Sequence, residues 1–579
     1  DTGSNVMNAS FRETLKQVFL GGKYWITEPS KDTAIFWTEN HQILYHAAEL
    51  LVGQLYPNDT FTNSGMTGLE HVNHSLPFIW RWINWKAQIG FTEWHSNTYF
   101  AEDTLALANI VEFANNTAVA TRAAMVLDLM AFDYANNYFQ GIYATTHGRA
   151  YDDTVVGTSA EHPQERDGTS EAAWLMLGIG EHVSGGMAGG AIATSDKYIT
   201  PPILEQIAAN ASMISAPPGS FYEHKERSSI RLSEADKYNL TFTEGDYMFW
   251  WHLAAPVAPQ TITTTFEIME KYELDPNIVI GPTENIIKTA AWLRGISVPA
   301  LSELAGAVTS GIPLETVSTY TYRTPYYQMS GAQDRHQAGM NGYQEHIWQA
   351  SVGEHAYVFT NAPGGMGFNK FTGGWKPRAV FHENVGILIY DRENLPWEFE
   401  ATVYLADSYF SMSGGCRAYQ HAYFPRWAFD DVVQRNGWTI GRKNEGYVAI
   451  YSYQPTIWAS SYELVALGRK NTWICELGSV HEHGSFKAFT KAILASVISI
   501  TPENMGYAVT YDSPTQGKMN LDWKNEMMID GIPLDTTPYP RYDNAYCFQE
   551  FDTTTTFIEF NGTRLTLDFD IVNRTVSTI

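Results

Sequence analysis

The sequence predicts an α+β chain of two domains, a helical solenoid or toroid over residues 1–311 and an antiparallel β-sandwich over residues 312–579. Three observations carry this. At 579 residues the chain is longer than one ordinary core supports. Through the front half, apolar residues recur at helical spacing with no strand-like alternation between them. Near 306–325 the texture changes to short alternating runs separated by Gly, Pro, Asn and Asp, the pattern of antiparallel strands.

The helical elements follow in order. In 38–55, TENHQILYHAAELLVGQL, Ile43, Leu44, Ala47, Ala48, Leu50 and Leu51 fall at helical spacing behind Thr38, a residue type suited to an N-cap. Amphipathic helices are also expected over 102–114, 116–135, 169–183, 202–214 and 283–296. Successive helices of this kind favour an all-α layer, and the lack of a fixed-period repeat weighs against the common short helical repeats. In the back half, strands are expected within 355–363, 379–393, 445–455, 471–480, 505–514 and 563–572. The Gly-rich GGMAGG at 185–190 lacks the Lys and strand context of a phosphate loop and reads as a flexible connection.

Composition narrows the function classes. With 44% hydrophobic and 17% charged residues the chain is a folded globular protein, and no apolar run is long enough to span a bilayer. A net charge of −26 argues against nucleic acid and anionic membranes as partners. The aromatic share is high, with 18 Trp and 33 Tyr, which suits a protein that stacks rings on sugars. Eight N-x-S/T sequons, at Asn8, Asn58, Asn73, Asn115, Asn210, Asn239, Asn561 and Asn573, point to a secreted, N-glycosylated protein. The first residue, Asp1, agrees with a processed secretory chain. Cys416, Cys475 and Cys547 permit one disulfide at most and form no metal motif.

Chemistry-bearing residues cluster at Glu39-Asn40-His41, in GFTEWHSNTY (90–99), in THGRAYDD (146–153), in EHPQERDG (161–168) and in QDRHQAGMNGYQEHIWQA (333–350). The second stretch is too rich in aromatic and polar side chains for a plain helix connection. There is no G-x-S-x-G elbow, H-E-x-x-H motif, Walker loop or G-x-G-x-x-G after a strand. His382, His421 and His481 are too scattered to predict a structural metal, and no cofactor is expected.

An Asn-His pair, a Tyr some sixty residues on and an Arg some fifty beyond that, within a helical front and a β back, resemble the polysaccharide lyases with an incomplete (α/α) toroid and an antiparallel β-sandwich. These lyases act on alginate, glucuronan, chondroitin, hyaluronan and heparin. TENHQILYHAAELLVGQ, GFTEWHSNTY and YQEHIWQASVGEHAYVFTNAPG look most like the alginate or glucuronan type. The resemblance implies β-elimination on a 4-linked uronic-acid polysaccharide, an anionic substrate. On it, Asn40 and His41 match the pair that neutralises the uronate carboxylate, and Tyr99 is the first choice for base and acid, with His95 as orienter or alternative base. Arg149 supports the phenolate or grips substrate, and Tyr151 is the rival of Tyr99. The sequence departs from a clean match in two ways: the His95 to Tyr99 spacing is short, and Arg166 and Arg81 compete with Arg149 for the cationic role. Trp94 and Trp85, with Trp80 and Trp82, are candidate sugar platforms. Glu93, His147, Gln344 and His346 complete the expected substrate contacts, with His336 as the alternative to Gln344. The alternative is a glycoside hydrolase on an (α/α) barrel, drawing paired carboxylates from Glu39, Glu93, Asp152, Asp153, Glu161 and Asp167.

Overall fold

The computed structural model describes residues 7–31, 33–156, 168–180, 186–274, 281–306, 312–335, 340, 341, 344–363, 370–391, 419–536 and 538–579. Within them the protein is mixed α+β, helical toward its N terminus and built of antiparallel sheets toward its C terminus. The expected boundary residue, Gly311, lies outside the described residues.

Five helices frame the site: α1 (Ala9–Leu20), α2 (Glu39–Leu55), α3 (Gly68–Ile89), α4 (Phe100–Phe113) and α5 (Thr117–Asn137). Helix α2 packs on α3 and α4, and α4 packs on α5. Helix α3, not expected from the sequence, opens with a capping box in which Thr67 and Glu70 satisfy each other's backbone N–H groups. Its apolar positions are interleaved with Trp, His and Asn, which blurs the helical period. Helix α5 starts at Asn116, whose side chain accepts from the N–H groups of Ala118 and Val119. It is expected as amphipathic, yet every residue from Ala123 to Asn137 is buried. A helix enclosed on all sides is the centre of its layer, not a surface element.

Other expectations fare unevenly. The helices expected at 202–214 and 283–296 form as Pro202–Ala211 and Gly281–Arg294. The helix expected over 169–183 covers Ser170–Leu177 and ends at Gly178, whose positive φ of 70° closes the C-terminus. The Gly-rich stretch expected as a loop instead enters a helix, Met187–Ala193. Gly189 is needed there, because a Cβ would stand 2.4 Å from the Glu171 carboxylate.

The largest sheet has ten strands in the order Thr456–Trp458, Glu463–Leu467, Tyr419–Tyr423, Tyr357–Asn361, Trp348–Ser351, Gln328–Ala332, Val317–Arg323, Tyr222–Ser228, Tyr542–Asn544 and Cys547–Gln549. A six-stranded sheet runs Arg378–His382, Val385–Asp391, Lys470–Ser479, Gly446–Ser452, Trp438–Lys443 and Asp431–Arg435. The two sheets share one core, in which Met329, Trp348 and Phe359 join Phe381, Leu388 and Trp473. All pairings are antiparallel.

The strand Tyr222–Ser228 overturns the expectation of an uninterrupted helical front half. Its sequence, YEHKERS, has no apolar alternation to read, yet Tyr222, His224, Glu226 and Ser228 are buried in alternation. Glu226 is held by Arg541 at 2.5 Å, by His95 at 2.9 Å and by His224 at 3.3 Å. Burial works against its charge, but His95 and Arg541 keep the carboxyl well below its usual range. This ion cluster ties helix α5, the 90–99 loop and the ten-stranded sheet together, because Tyr542 also donates to Asp133 at 2.9 Å.

Cys475 and Cys547 are buried free thiols, and Cys416 lies outside the described residues. No helix among the described residues is long and apolar enough to cross a membrane. Seven of the eight sequon asparagines are exposed and Asn573 is half-exposed.

Removing Arg541 leaves Glu226 as a buried charge without its permanent cation, with only imidazoles to balance it. Arg541→Met is expected to cost about 3–5 kcal/mol, read as a lower denaturant midpoint at unchanged slope.

Candidate active site

The 90–99 loop is folded by a carboxylate at the start of α2. Glu39 is fully buried, pairs with the Lys86 ammonium, and accepts the backbone N–H groups of Thr92 at 2.9 Å and Glu93 at 2.7 Å. Its own carbonyl accepts the Trp82 indole N–H at 2.9 Å. The loop leaves α3 through Gly90 at φ 75°, where a Cβ would stand 2.9 Å from the Arg541 guanidinium carbon. It is then stitched to 146–150. The Trp94 carbonyl accepts the Gly148 N–H at 2.7 Å, the His95 carbonyl meets His147 Nδ1 at 2.5 Å, and the Ser96 hydroxyl donates to the Arg149 carbonyl at 2.7 Å.

This stitching brings two tyrosines together. Tyr99 Oη and Tyr151 Oη stand 2.6 Å apart. Arg149 donates from Nη2 to Tyr151 Oη at 3.0 Å and from Nη1 to Glu93 Oε1 at 3.0 Å, while its guanidinium lies 4.3 Å over the Tyr99 ring. Burial drives the Tyr99 hydroxyl's pKa up, against the opposing charge of Arg149. Tyr99 therefore keeps its proton at neutral pH, and of the pair it is Tyr151 that is half-exposed.

The start of α2 supplies the facing groups. Thr38 stands at the N-cap but makes no capping bond; its hydroxyl donates to Asn40 Oδ1 at 2.8 Å and lies 2.5 Å from His41 Nδ1. The other end of the Asn40 amide donates to the Glu102 carboxylate on α4. Thr38 has one hydroxyl proton, and Asn40 takes it. His41 must then donate from Nδ1, which leaves Nε2 as the acceptor of the ring. Burial and the charge of Arg149 lower the His41 pKa to about 4, so the ring is neutral near pH 7. Burial raises the Glu102 carboxyl, and the charge of Glu93 adds to it against the Asn40 bond.

Asn40, His41, Tyr99, Arg149 and Tyr151, expected together, are thus gathered from three segments. Other expectations need correction. His95 does not orient Tyr99: it is buried, and its Nε2 binds Glu226. Trp94 is no sugar platform, since it is fully buried with its indole N–H on Thr146 at 3.3 Å and the Arg335 guanidinium 4.6 Å over its ring. His147 and His346 are buried, stacked 5.4 Å apart, and joined by a backbone bridge; burial holds both neutral, His346 down to about 3. Gln344 contributes its carbonyl to the Ala150 N–H at 3.0 Å. Trp85 stacks on His252 at 5.1 Å, in a separate cluster with Phe249. Trp82 is buried and Trp80 lies under the Arg122 guanidinium. Arg81 reaches Asp246. Glu93 is the buried partner that aims Arg149.

Three of the carboxylates of the hydrolase reading are engaged structurally. Glu39 folds the loop, Glu93 holds Arg149, and Asp152 accepts the N–H groups of Lys370 at 2.6 Å and Phe371 at 2.8 Å. Asp153 is exposed, and Glu161, Arg166, Asp167 and His336 lie outside the described residues. His421 pairs with Glu463 at 2.8 Å, and His382 and His481 join no ligand cluster among the described residues. Sequence reasoning missed Thr38 and Glu102. No spacing marks Glu102, because its partner Asn40 is 62 residues away. No protein-family model matches the chain, and no curated protein matches it significantly.

The His41 environment has a pH consequence. Its native pKa lies below the ordinary value near 6.5, so the unfolded state binds the extra proton between about pH 6.5 and 4. Stability from this residue is complete above pH 6.5 and declines as the pH falls through that window. An NMR titration of the His41 ring should give a midpoint below 5, and Arg149→Gln should move it upward.

Proposed function

We propose that the protein is a secreted polysaccharide lyase that cleaves a 4-linked uronic-acid polysaccharide, of alginate or glucuronan type, by β-elimination. The observation that carries the reading is the Tyr99–Tyr151–Arg149 triad with the neutral His41 in the field of Arg149; Asn40, next to His41, is oriented by Thr38 and Glu102 and fully buried. In this reading the paired packing of α2, α3, α4 and α5 belongs to an incomplete (α/α) toroid. The two sheets with a common core form the β-sandwich. The exposed sequons fit an N-glycosylated, extracellular protein.

The chemistry asks for three things. The proton at C5, α to the uronate carboxylate, is too weakly acidic until the carboxylate's charge is countered. The Asn40 amide and the Arg149 guanidinium supply that, each worth about 3 kcal/mol where charge develops in the transition state. A base then takes the C5 proton, the C–H electrons form the C4–C5 double bond, and the C4–O glycosidic bond breaks. Tyr151 is the assigned base. It acts as the phenolate, its own proton given up to solvent beforehand, and its oxygen then accepts from Arg149 and from Tyr99, which keeps its proton. The proton taken up returns to the leaving oxygen. His41 accepts at Nε2 and so serves a substrate hydroxyl or a proton in transit, not the carboxylate. That replaces the carboxylate-neutralising role implied by the family resemblance.

Incubation with alginate, glucuronan, hyaluronan and chondroitin should release an unsaturated uronate, visible as rising near-ultraviolet absorbance, from at least one of them. New reducing ends without absorbance would indicate a hydrolase. On the active substrate Tyr151→Phe should lower kcat by roughly 10³-fold, and Asn40→Ala by about 10²-fold. Tyr99→Phe should cost clearly less than Tyr151→Phe; the reverse order would make Tyr99 the base.

A further inference from the structure

Helices α2 and α3 carry a second cluster that this chemistry does not use. Glu49 is fully buried between them and takes three imidazoles on one carboxylate: His71 Nδ1 and His74 Nδ1 each stand 2.8 Å from Oε1, and His46 Nδ1 stands 3.2 Å from Oε2. The pairs His46/Glu49 and His71/His74 are each three residues apart, so each pair shares one helix face. Glu28 closes the group, with ligand atoms of Glu28, Glu49 and His71 all within 4.8 Å of one another. Rings wall it in: Trp25 lies 4.0 Å from His46, Phe61 lies 4.1 Å from His71, and Phe78 stacks on His46 at 4.3 Å.

The cluster has no Lys or Arg: among the described residues none pairs with Glu28 or Glu49. The other buried His-acid group, His95, Asp133 and Glu226, differs in this respect, because Arg541 already sits on Glu226 as its cation. Two imidazoles and two carboxylates in an apolar shell are the donor set of zinc and similar divalent transition metals, whereas calcium and magnesium prefer oxygen alone. Bonds of about 2.0–2.2 Å around a tetrahedral zinc hold neighbouring ligand atoms roughly 3.3–3.6 Å apart. Glu28, Glu49 and His71 already hold ligand atoms within 4.8 Å of one another, and His74, 2.8 Å from the same Glu49 oxygen, has to close on them to complete the set.

We propose that Glu28, Glu49, His71 and His74 form a binding site for a zinc-type divalent cation, with His46 holding the second Glu49 oxygen. The cation takes Nδ1 of His71 and His74 in their neutral form, with the single ring proton of each moving to Nε2, so it competes with protonation of the rings and binding weakens toward acid pH. It clamps α2 to α3, about two and a half turns along α2 from Asn40 and His41. The site is structural and does not rest on the elimination reading.

The test uses the tag-free full chain, stripped with chelator, loaded with ZnCl2 and desalted. About one zinc per chain should remain, and the melting temperature should rise with free zinc concentration. CaCl2 and MgCl2 should leave it unchanged. His74→Ala changes a partly exposed ligand and leaves the core intact, and it should weaken zinc by at least about 10-fold. Glu49→Gln should abolish retention. Wild type that retains no zinc and shows no thermal shift overturns the proposal, as does equal retention by folded His74→Ala protein.

Discussion

The buried carboxylate of Glu39 is the constraint on which the site depends. One side chain neutralises Lys86 and fixes two consecutive N–H groups of the 90–99 loop, while its own backbone begins the helix that presents Asn40 and His41. The two halves of the cluster are therefore registered against each other through a single residue. An ion pair buried this completely gains little net stability over an apolar pair, but it admits few alternative arrangements. Its value here is geometric.

Around that anchor, charge is distributed with economy. Arg149 is shared between Glu93 and Tyr151 and lies over Tyr99, so one cation orients an acid, a hydroxyl and a ring. Its field adds to burial in keeping His41 neutral. A cluster that is nearly balanced within itself can receive an anion without the long-range help that a chain of net charge −26 cannot give.

Much of this was legible in the sequence. The helical period located α2, α4 and α5, and the alternating runs located most strands of the six-stranded sheet. The gathering of Asn40, His41, Tyr99, Arg149 and Tyr151 followed from a family resemblance, not from periodicity. What stayed hidden has physical causes. Strand Tyr222–Ser228 buries polar side chains on partners hundreds of residues away, so its pattern looks like that of a solvated loop. Trp94 and His95 look like ligand-binding residues because type alone does not tell a platform from a core ring. The rank of the tyrosines depends on burial and the tautomer of His41 on a proton count through Thr38, neither of which local sequence carries.

That same strand governs how the molecule can be made. Tyr222–Ser228 lies between Val317–Arg323 and Tyr542–Asn544 in the large sheet. As the chain is synthesised, the strand emerges with both edges bare and gains its second neighbour only when nearly the whole sequence is available. Long-range pairing of this kind is slow and leaves edges open to other chains. A polar strand such as YEHKERS has little tendency to aggregate while it waits. Its composition suits the long exposure that its place in the chain imposes.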